Sequence, residues 1–492
     1  ESRPLEKVAT KNLDALKAYS LGVQRGARGQ FAEALAMFDQ ALKIDPQFAS
    51  ASMRTGVVQY SAGHIAEARD AFNRALGHPE RLSARDILYA ESFVATMDQS
   101  ADAMGKWQVM VDTYPDFFAA TGGFAYLAWR DANRFDARNV ALALGSASAR
   151  NPNPIPSRHL LGILYLGNER FADAEQTFKD VESGGFRFTH YLAATEAAQR
   201  KFDAATKTLA RMPEISMAEN PVASSTRALL GTAFLVDQGR FADADGAVEK
   251  AKNELPEGNR MAGLLDTVGI SVRYAFEPGK SDLNAGALAS AIDETKNMRA
   301  KAGPAERIVL DTRQAMHAYL AAHAGNAGLA KKVLAAMGSE AHPAYTAAFK
   351  LRKVAEAEIA RKSGNAPAAI EQLEKLVDGS ELYITHVALL DSYAQAGKPG
   401  DEALRESRWL AAHRGRAYAE ASAENLLTPY NVGQSDLALL RGAELALKAN
   451  DGAGARSMLG KFREAWPEAS RAPAFAERVK KIQDGLPAAE SR

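Results

Sequence analysis

The sequence predicts an all-α fold, an α-α superhelical solenoid of stacked helix pairs arranged in two halves. Three observations lead to this prediction. The chain is rich in Ala, Leu, Glu, Lys and Arg and poorer in Val, Ile and Thr, a composition that favours helix. At 492 residues it exceeds what one compact hydrophobic core usually supports. A short pattern of small and aromatic residues also recurs at a regular interval.

The recurring pattern is clearest near the N-terminus, where GQFAEALAMFDQAL at residues 29–42 returns as GHIAEARDAFNRAL at residues 63–76. The copies lie about 34 residues apart, the period of the tetratricopeptide repeat (TPR), a helix-turn-helix unit. The residue types also resemble that repeat, with small, small, bulky, small and Pro positions in the first copy and the first four of these in the second: Gly22, Ala34, Phe38, Ala41 and Pro46, then Gly56, Ala68, Phe72 and Ala75.

These residue types have a geometric reason. Gly or Ala lets two helix backbones approach closely, a bulky neighbour fills the groove between them, and Pro ends the second helix. Further copies, strong and weak, follow at Gly162, Gly231, Asn133, Lys201, Gly325, Gly364, Gly397 and Asn450. Together they predict roughly ten to thirteen helix pairs, which stack into a right-handed superhelix with a concave groove because one pair cannot bury its own apolar face.

Three stretches break the period. Residues 151–156 (NPNPIP) predict a loop before the next unit. Residues 254–286 lack the junction motif although residues 264–276 could form a helix, so we expect a distorted repeat or a joint between two halves. Residues 428–431 (TPYN) are a third interruption. At each of the three, variation in loop length is favoured over a functional insertion.

Composition excludes several classes of function. Sixty Lys and Arg balance sixty Asp and Glu, so no overall field draws the chain to nucleic acid or to an anionic membrane. The absence of Cys removes disulfides, thiolate nucleophiles and Cys-based zinc sites, and it fits a cytoplasm or a periplasm equally well. The longest apolar run, at residues 229–236, is far shorter than the roughly 20 residues that cross a bilayer.

Motifs for chemistry are also absent from the sequence. The nine His residues include no His-Glu-x-x-His pair for zinc, and neither a phosphate-binding loop nor a nucleophile elbow is present. Acid pairs such as Glu356 and Glu358 are interpreted as solvated charge on an exposed helix face rather than as a general acid and base. We therefore expect no catalytic residue, no metal site and no cofactor, and hence no enzyme activity in this chain.

The repeat alignment also predicts which side chains line the groove, because the first helix of each pair faces inward in such arrays. The candidates for ligand contact are six inward positions: Tyr19, Met53, Tyr60, Leu127, Arg130 and His159. The set is mostly apolar and lacks the Lys and Asn cluster that chaperone-binding members of the class use to clamp a peptide carboxylate. Such a groove either receives a protein or peptide segment or closes on itself and becomes core, and we slightly favour closure. The four Trp residues are expected to pack between repeats.

Three local phrases suggest a family. They are residues 10–19 (TKNLDALKAY), residues 81–89 (RLSARDILY), and Trp107 leading to Tyr114-Pro115-Asp116. Over about residues 5–180 this combination resembles the C-terminal TPR region of bacterial transmembrane serine/threonine kinases, and similar regions follow winged-helix regulators and nucleotide cyclases.

The resemblance implies a non-catalytic sensor or protein-interaction domain of a receptor-like kinase. The domain would be periplasmic and anchored through a membrane segment upstream of Glu1, and ligand binding would bias the spacing or pairing of two copies in a homodimer. The alternative is a cytoplasmic TPR scaffold of a transcriptional regulator or cyclase. The predicted organisation is a linker at 1–9, an N-terminal TPR array at 10–256, a degenerate TPR-like array at 257–484 and a flexible tail at 485–492.

Overall fold

The computed structural model describes residues 10–27, 30–61, 64–98, 100, 102–151, 154–183, 189–212, 221–277, 281–337, 346–397, 401–421 and 425–487. The predicted linker at residues 1–9 and residues 488–492 of the predicted tail lie outside this set. Within it the secondary structure is helical, without strands, as the sequence predicts.

The first half of the helices covers the chain to residue 210. Their bounds are α1 Leu13–Ala27, α2 Phe31–Ile44, α3 Ala49–Ser61, α4 Ile65–Leu76, α5 Ala84–Met97, α6 Ala103–Thr113, α7 Phe118–Arg130, α8 Ala137–Ser146, α9 Ile155–Gly167, α10 Phe171–Ser183, α11 Thr189–Ala198 and α12 Phe202–Ala210.

The remaining helices follow from residue 221. Their bounds are α13 Pro221–Asp237, α14 Phe241–Asn253, α15 Met261–Phe276, α16 Ser281–Lys301, α17 Pro304–His323, α18 Ala327–Ala336, α19 Thr346–Lys362, α20 Ala366–Glu374, α21 Tyr383–Ala396, α22 Asp401–Ala412, α23 Arg414–Ala419, α24 Thr428–Lys448, α25 Gly452–Ala465 and α26 Pro473–Gly485.

Backbone contacts divide the chain into two compact units. Unit 1 comprises Glu1–Ala128 and Ala141–Arg158, and unit 2 comprises Trp129–Val140 and His159–Arg492. In unit 1, α1 packs on α2, α3 on α4 and α5 on α6; in unit 2, the same pairing runs from α11 with α12 to α21 with α22, and α24 packs on α25. The predicted boundary after residue 256 stays a prediction; α14 and α15, on either side of it, pack against each other.

Glycine against an aromatic ring is the close contact within the repeats, as the pattern predicts. A Cβ atom on Gly22 would lie 2.6 Å from Phe38 Cε1, and one on Gly56 would lie 2.8 Å from Phe72 Cδ2. In unit 2, Gly162 meets Phe178 Cε1 at the same 2.6 Å. The three rings are at most 1% exposed, so the missing side chain on each glycine is what admits the ring.

The turn between the two helices of a pair contains a residue in the left-handed region of φ. Glycine fills this position at Gly239, Gly325, Gly364 and Gly397, with φ between 63° and 87°. Glycine is the default here because a Cβ atom clashes with the following carbonyl oxygen when φ is positive. Other turns have a residue with a side chain at this position, which bears the steric cost that glycine avoids: Asn133, Glu169, Arg200 and Asn450.

Each unit has an aromatic core. In unit 1 the fully buried Trp107 lies edge-on to Tyr89 and Phe93, and its indole Nε1 donates to Thr96 Oγ1 at 2.9 Å. In unit 2 the fully buried Trp466 donates from Nε1 to the Asp237 carbonyl at 3.2 Å. These Trp residues pack inside the array, as expected.

Two of the predicted interruptions are wrong in detail. Pro156 lies in the first turn of α9, and Thr428 and Pro429 begin α24. Proline is tolerated in the first helical turn because the amide that it lacks would have had no partner there. The predicted helix at residues 264–276 is confirmed and begins three residues earlier, at Met261. Among the described residues, no helix combines the length and hydrophobicity needed to cross a membrane.

Candidate functional site

The repeat alignment predicts that the first helices of the repeats, α1, α3 and α5, line the groove of unit 1, and their shared face is called the inner face below. This face carries a set of half-buried apolar and aromatic side chains, which keep part of their surface in solvent: Leu16, Tyr19, Val23, Val57, Tyr60 and Leu88. A surface that is partly exposed, apolar and mounted on packed helices suits the docking of an extended or helical segment from another protein.

Two of the predicted contact residues are held rigidly in this face. The ring of Tyr19 packs between Phe38 and Phe48, at centroid distances of 5.9 and 5.0 Å. The ring of Tyr60 meets Phe93 edge-on at 5.0 Å. Buried aromatic neighbours fix both rings, so a ligand would meet them already ordered and would lose little rotamer entropy on binding.

Two other predicted contact residues lie deeper. Met53 is 5% exposed and Leu127 is 4% exposed, and both belong to the hydrophobic core cluster that surrounds Trp107. Their side chains pack mainly on their own unit, and whether either touches a ligand stays a prediction. The sequence alignment places them on the inward side but does not reveal how far the neighbouring helices cover them.

The last two predicted residues belong to unit 2. Arg130 makes a two-pronged ion pair with Asp131, with Nε–Oδ1 at 2.5 Å and Nη2–Oδ2 at 2.7 Å. The His159 ring lies 5.3 Å from the ring of Tyr191 and 6.3 Å from that of His190. Burial, followed by the neighbouring His190, lowers the pKa of His159 well below its usual value, so this imidazole is neutral and packs as an aromatic ring.

The inner face of unit 2 is occupied by the chain itself. Helix α23 packs on α11 and on α24. Helix α24 packs on α22, the second helix of the preceding pair, and also on α13, α15 and α21, which like α11 are first helices of their pairs. Every residue from Thr428 to Leu440 is buried. Tyr430 reaches Tyr319 on α17, with the two hydroxyl oxygens 3.1 Å apart. In this unit the array therefore closes on its own α23 and α24, which is the self-packing alternative.

The side-chain-bearing turns of unit 2 hold this inserted segment. Asn133 Nδ2 donates to Glu420 Oε2 at 3.3 Å, and the Glu169 carboxylate accepts the backbone N–H groups of Gly415 and Arg416, each at 3.0 Å. Arg200 pairs with Asp436. A left-handed φ costs a residue with a side chain about 1–2 kcal/mol. At these turns the side chain contacts the inserted segment, and a glycine could not make that contact.

A buried ion-pair network lies at the centre of the insertion. Arg414 binds Asp237 through two hydrogen bonds of 2.8 and 2.9 Å and Asp436 through a third of 2.8 Å. The Tyr418 hydroxyl donates to Asp237 Oδ2 at 2.6 Å. Burial disfavours the charge on Arg414, but the two carboxylates outweigh it and raise the pKa of the guanidinium. Each buried charge is therefore partnered, which is the condition for keeping it inside a protein.

One cluster has the composition of a metal site. His323, Glu358 and Asp391 place one ligand atom each within 4.8 Å of one another. Two arginines already compensate the carboxylates: Arg361 binds Glu358 at 2.6 and 2.7 Å, and Arg441 pairs with Asp391. A divalent cation would have to displace both, so these residues fit an ion-pair network better than a metal. The expectation that Glu358 lies on an exposed face is wrong, since it is 1% exposed.

The sequence pattern does not reveal that α23 and α24 are the segment that packs on the first helices of unit 2. From the sequence, the TPYN stretch is interpreted as a third interruption of the repeat, with variation in loop length favoured. The available signal is that residues 428–448 contain no second proline after Pro429, which allows a helix longer than a repeat helix. The pairing of Asp237 with Arg414 has no local signal, since the two residues lie far apart in sequence.

Comparison with known proteins supports the repeat assignment. A family model described as tetratricopeptide repeat matches residues 19–84, the stretch that carries the Gly22–Phe38 and Gly56–Phe72 contacts. The helix array is of the tetratricopeptide type. TPR arrays are typically non-catalytic and bind protein or peptide segments. No curated protein matches this chain in sequence.

Solved structures align with this chain over nearly its whole length, at low identity and low TM-score. A chain of the APC/C hetero-tetramer Cut9-Hcn1 is 12% identical and covers 95% of this chain and 96% of its own, with a TM-score of 0.30. The P58(IPK) TPR domain is 15% identical, covers 97% and 100%, and has a TM-score of 0.22. Yeast Tom70 is 12% identical, covers 96% and 95%, and has a TM-score of 0.34. At TM-scores this low, nothing about the helix arrangement or the partners of these proteins transfers to this chain.

Proposed function

We propose that the chain is a TPR protein-interaction domain that binds a segment of a partner protein on the inner face of α1, α3 and α5. One observation carries the proposal. The inner face of unit 2 is filled by α23 and α24, whereas the inner face of unit 1 keeps Tyr19, Tyr60 and their apolar neighbours partly in solvent. Apolar side chains on rigid helices are the usual basis of helix-in-groove recognition.

The binding proposal is tested by changing exposed aromatic residues on the two sides of unit 1. Peptides selected for binding to the wild-type chain should bind a Tyr60→Ala variant at least about tenfold more weakly, since an aromatic anchor contributes more than about 1.4 kcal/mol. The matched control is Phe31→Ala, because Phe31 is 42% exposed on the outer helix α2. Equal loss in both variants, or a loss of folding without a loss of binding, would remove the inner face as the binding surface.

We further propose that this recognition regulates a bacterial receptor-like serine/threonine kinase from the periplasmic side. The support is the resemblance of residues 10–19, residues 81–89 and the Trp107 phrase to such kinase sensor regions. Binding on the inner face would change how two copies of the array pair, and pairing would set the activity of the kinase domains.

The test of this finer proposal uses the full-length protein in a membrane. Autophosphorylation should change when the selected peptide is added outside, and the Tyr60→Ala variant should not respond, whereas Phe31→Ala should. Light scattering of the isolated domain should show a peptide-dependent change in dimer content. A full-length chain without a kinase domain would remove this proposal and leave the cytoplasmic scaffold of a regulator or cyclase as the alternative.

A further inference from the structure

A charged side chain lies within the inner face of unit 1. Arg54 on α3 is half-buried between Tyr19 on α1 and two residues of α5, Asp86 and Tyr89, all of which act on its charge. Arg54 is thus placed on the middle one of the three helices that form the face. Arginine is always charged in proteins, so its burial needs compensation from nearby acceptors.

The compensation of Arg54 is incomplete. Its Nε–H is buried and has no hydrogen-bond acceptor among the residues that the structure describes. The nearby carboxylate, Asp86, accepts a hydrogen bond from Ser83 Oγ at 2.7 Å and pairs with Arg85 at 3.2 Å. Of the other two neighbours, the Tyr19 hydroxyl already hydrogen-bonds the guanidinium, and Tyr89 offers a phenol oxygen. A buried donor without an acceptor costs free energy. Because Nε is buried, a ligand carboxylate recovers that cost only by displacing the side chains that cover it.

The geometry of the group selects the kind of acceptor. The Nε–H of a guanidinium and the adjacent terminal N–H point the same way and match the two oxygens of a carboxylate. The surrounding surface is apolar and aromatic, since Tyr19, Val57 and Tyr60 lie on the same face. A segment that presents one acidic side chain between apolar ones would fit both features, and a basic segment would meet repulsion from Arg54.

We propose that Arg54 is an anchor for an Asp or Glu side chain in the partner segment, which makes the unit 1 face selective for acidic-apolar peptides. This inference rests on the proposed function of the inner face. Arg54 then sets specificity, and the aromatic residues around it supply most of the contact area.

The experiment selects peptides of roughly a dozen residues from a random displayed library on the wild-type chain. We expect the selected peptides to share one acidic position flanked by apolar residues. Replacing that acid by Gln should weaken binding about tenfold, or ~1.4 kcal/mol. Arg54→Gln should weaken binding of the acidic peptide by the same factor and leave binding of the Gln peptide unchanged. The two substitutions would then be coupled in a double-mutant cycle.

Two further variants keep the test decisive. Arg74→Gln removes the same charge from an exposed position on the outer helix α4 and should leave both peptides unaffected. Arg54→Lys keeps the charge without the paired donors and should bind the acidic peptide more weakly than the wild type does, at an unchanged thermal midpoint. Peptides that bind equally well to wild type and Arg54→Gln would overturn the anchor and leave the proposed function standing. A library that yields no peptide binding to unit 1 would overturn the proposed function itself.

Discussion

Single glycines set how closely the helices of a repeat approach. Gly56→Ala would place a Cβ atom 2.8 Å from Phe72 Cδ2 and 3.0 Å from Cγ in a fully packed core. We expect the substitution to lower the free energy of unfolding of unit 1 by about 1–3 kcal/mol, the usual cost of overpacking. Urea unfolding followed by circular dichroism measures it.

The control for that substitution is Gly105→Ala on α6. A Cβ atom at Gly105 would meet nothing within 4 Å. Alanine also favours helix over glycine by roughly 1 kcal/mol. The control should therefore leave the free energy of unfolding unchanged or raise it. Equal losses of unfolding free energy in both variants would show that the contact with Phe72 does not require glycine at position 56.

A buried carboxylate holds the inserted segment of unit 2 in place. Asp237→Asn would leave the buried Arg414 without its two-pronged partner and weaken the bond from Tyr418. We expect a loss of about 3–5 kcal/mol in the unfolding free energy of unit 2. The control Asp243→Asn removes an ion pair with Arg240 in which both side chains are about half exposed. It should change the unfolding free energy by no more than about 0.5 kcal/mol. Similar losses in both variants would show that the buried network adds no stability.

At the scale of elements, the contact between α15 and α17 makes stability depend on pH. His317 on α17 is fully buried, and its Nε2 lies 2.9 Å from Thr267 Oγ1 on α15. Burial, with a smaller contribution from Arg313, lowers the pKa of His317 from 6.5 to about 3. Below pH 6.5, His317 is therefore protonated in the unfolded chain and stays neutral in the folded chain. The stabilisation is present above that pH and is lost as the pH falls towards 3.

The expected size of this loss is about 2 kcal/mol between pH 6.5 and 5, from roughly 1.4 kcal/mol per pH unit. Urea midpoints at pH 7.5 and pH 5 measure it, and His317→Asn should flatten the difference by that amount. His64→Asn is the control, since His64 is exposed ahead of α4. An unchanged pH dependence in His317→Asn would show that the ring takes up its proton within the folded chain.

Most elements could be predicted from the sequence because each repeat marks its own turn. The glycines at 325, 364 and 397 predict the turns between paired helices, and in the structure these three residues have a left-handed φ. Helix α24 could not be predicted in the same way. A proline in the sequence can lie in the first turn of a helix or can end one, and the local sequence does not distinguish the two cases. The helices that pack around α24 are also distant from it in sequence.

The candidate site was predictable only in part, for the same physical reason. The repeat period predicts which side chains face inward, and among the predicted set Tyr19 and Tyr60 are half-buried. The period does not state what covers them, so Met53 and Leu127 were grouped with them although both lie in the core. Arg54 was not singled out, because its unmatched Nε–H becomes visible only when Asp86 is seen to be engaged by other residues.

At the scale of the whole molecule, the two units have inner faces in different states. In unit 2 the inner face is covered by α23 and α24, which are held by turn residues and by the Arg414 network. In unit 1 the inner face is aromatic, partly exposed and contains one incompletely paired arginine. In the proposed function, unit 1 presents its face to a partner, and unit 2 stabilises its own face with α23 and α24.

Hydrogen exchange of the whole chain, with and without a selected acidic peptide, tests the central claim most directly. The account predicts that the peptide slows exchange in α1, α3 and α5, and that α23 and the first half of α24 exchange slowly in its absence and unchanged in its presence. Protection confined to α23 and α24, or rapid exchange of residues 428–440 in the free protein, would contradict it.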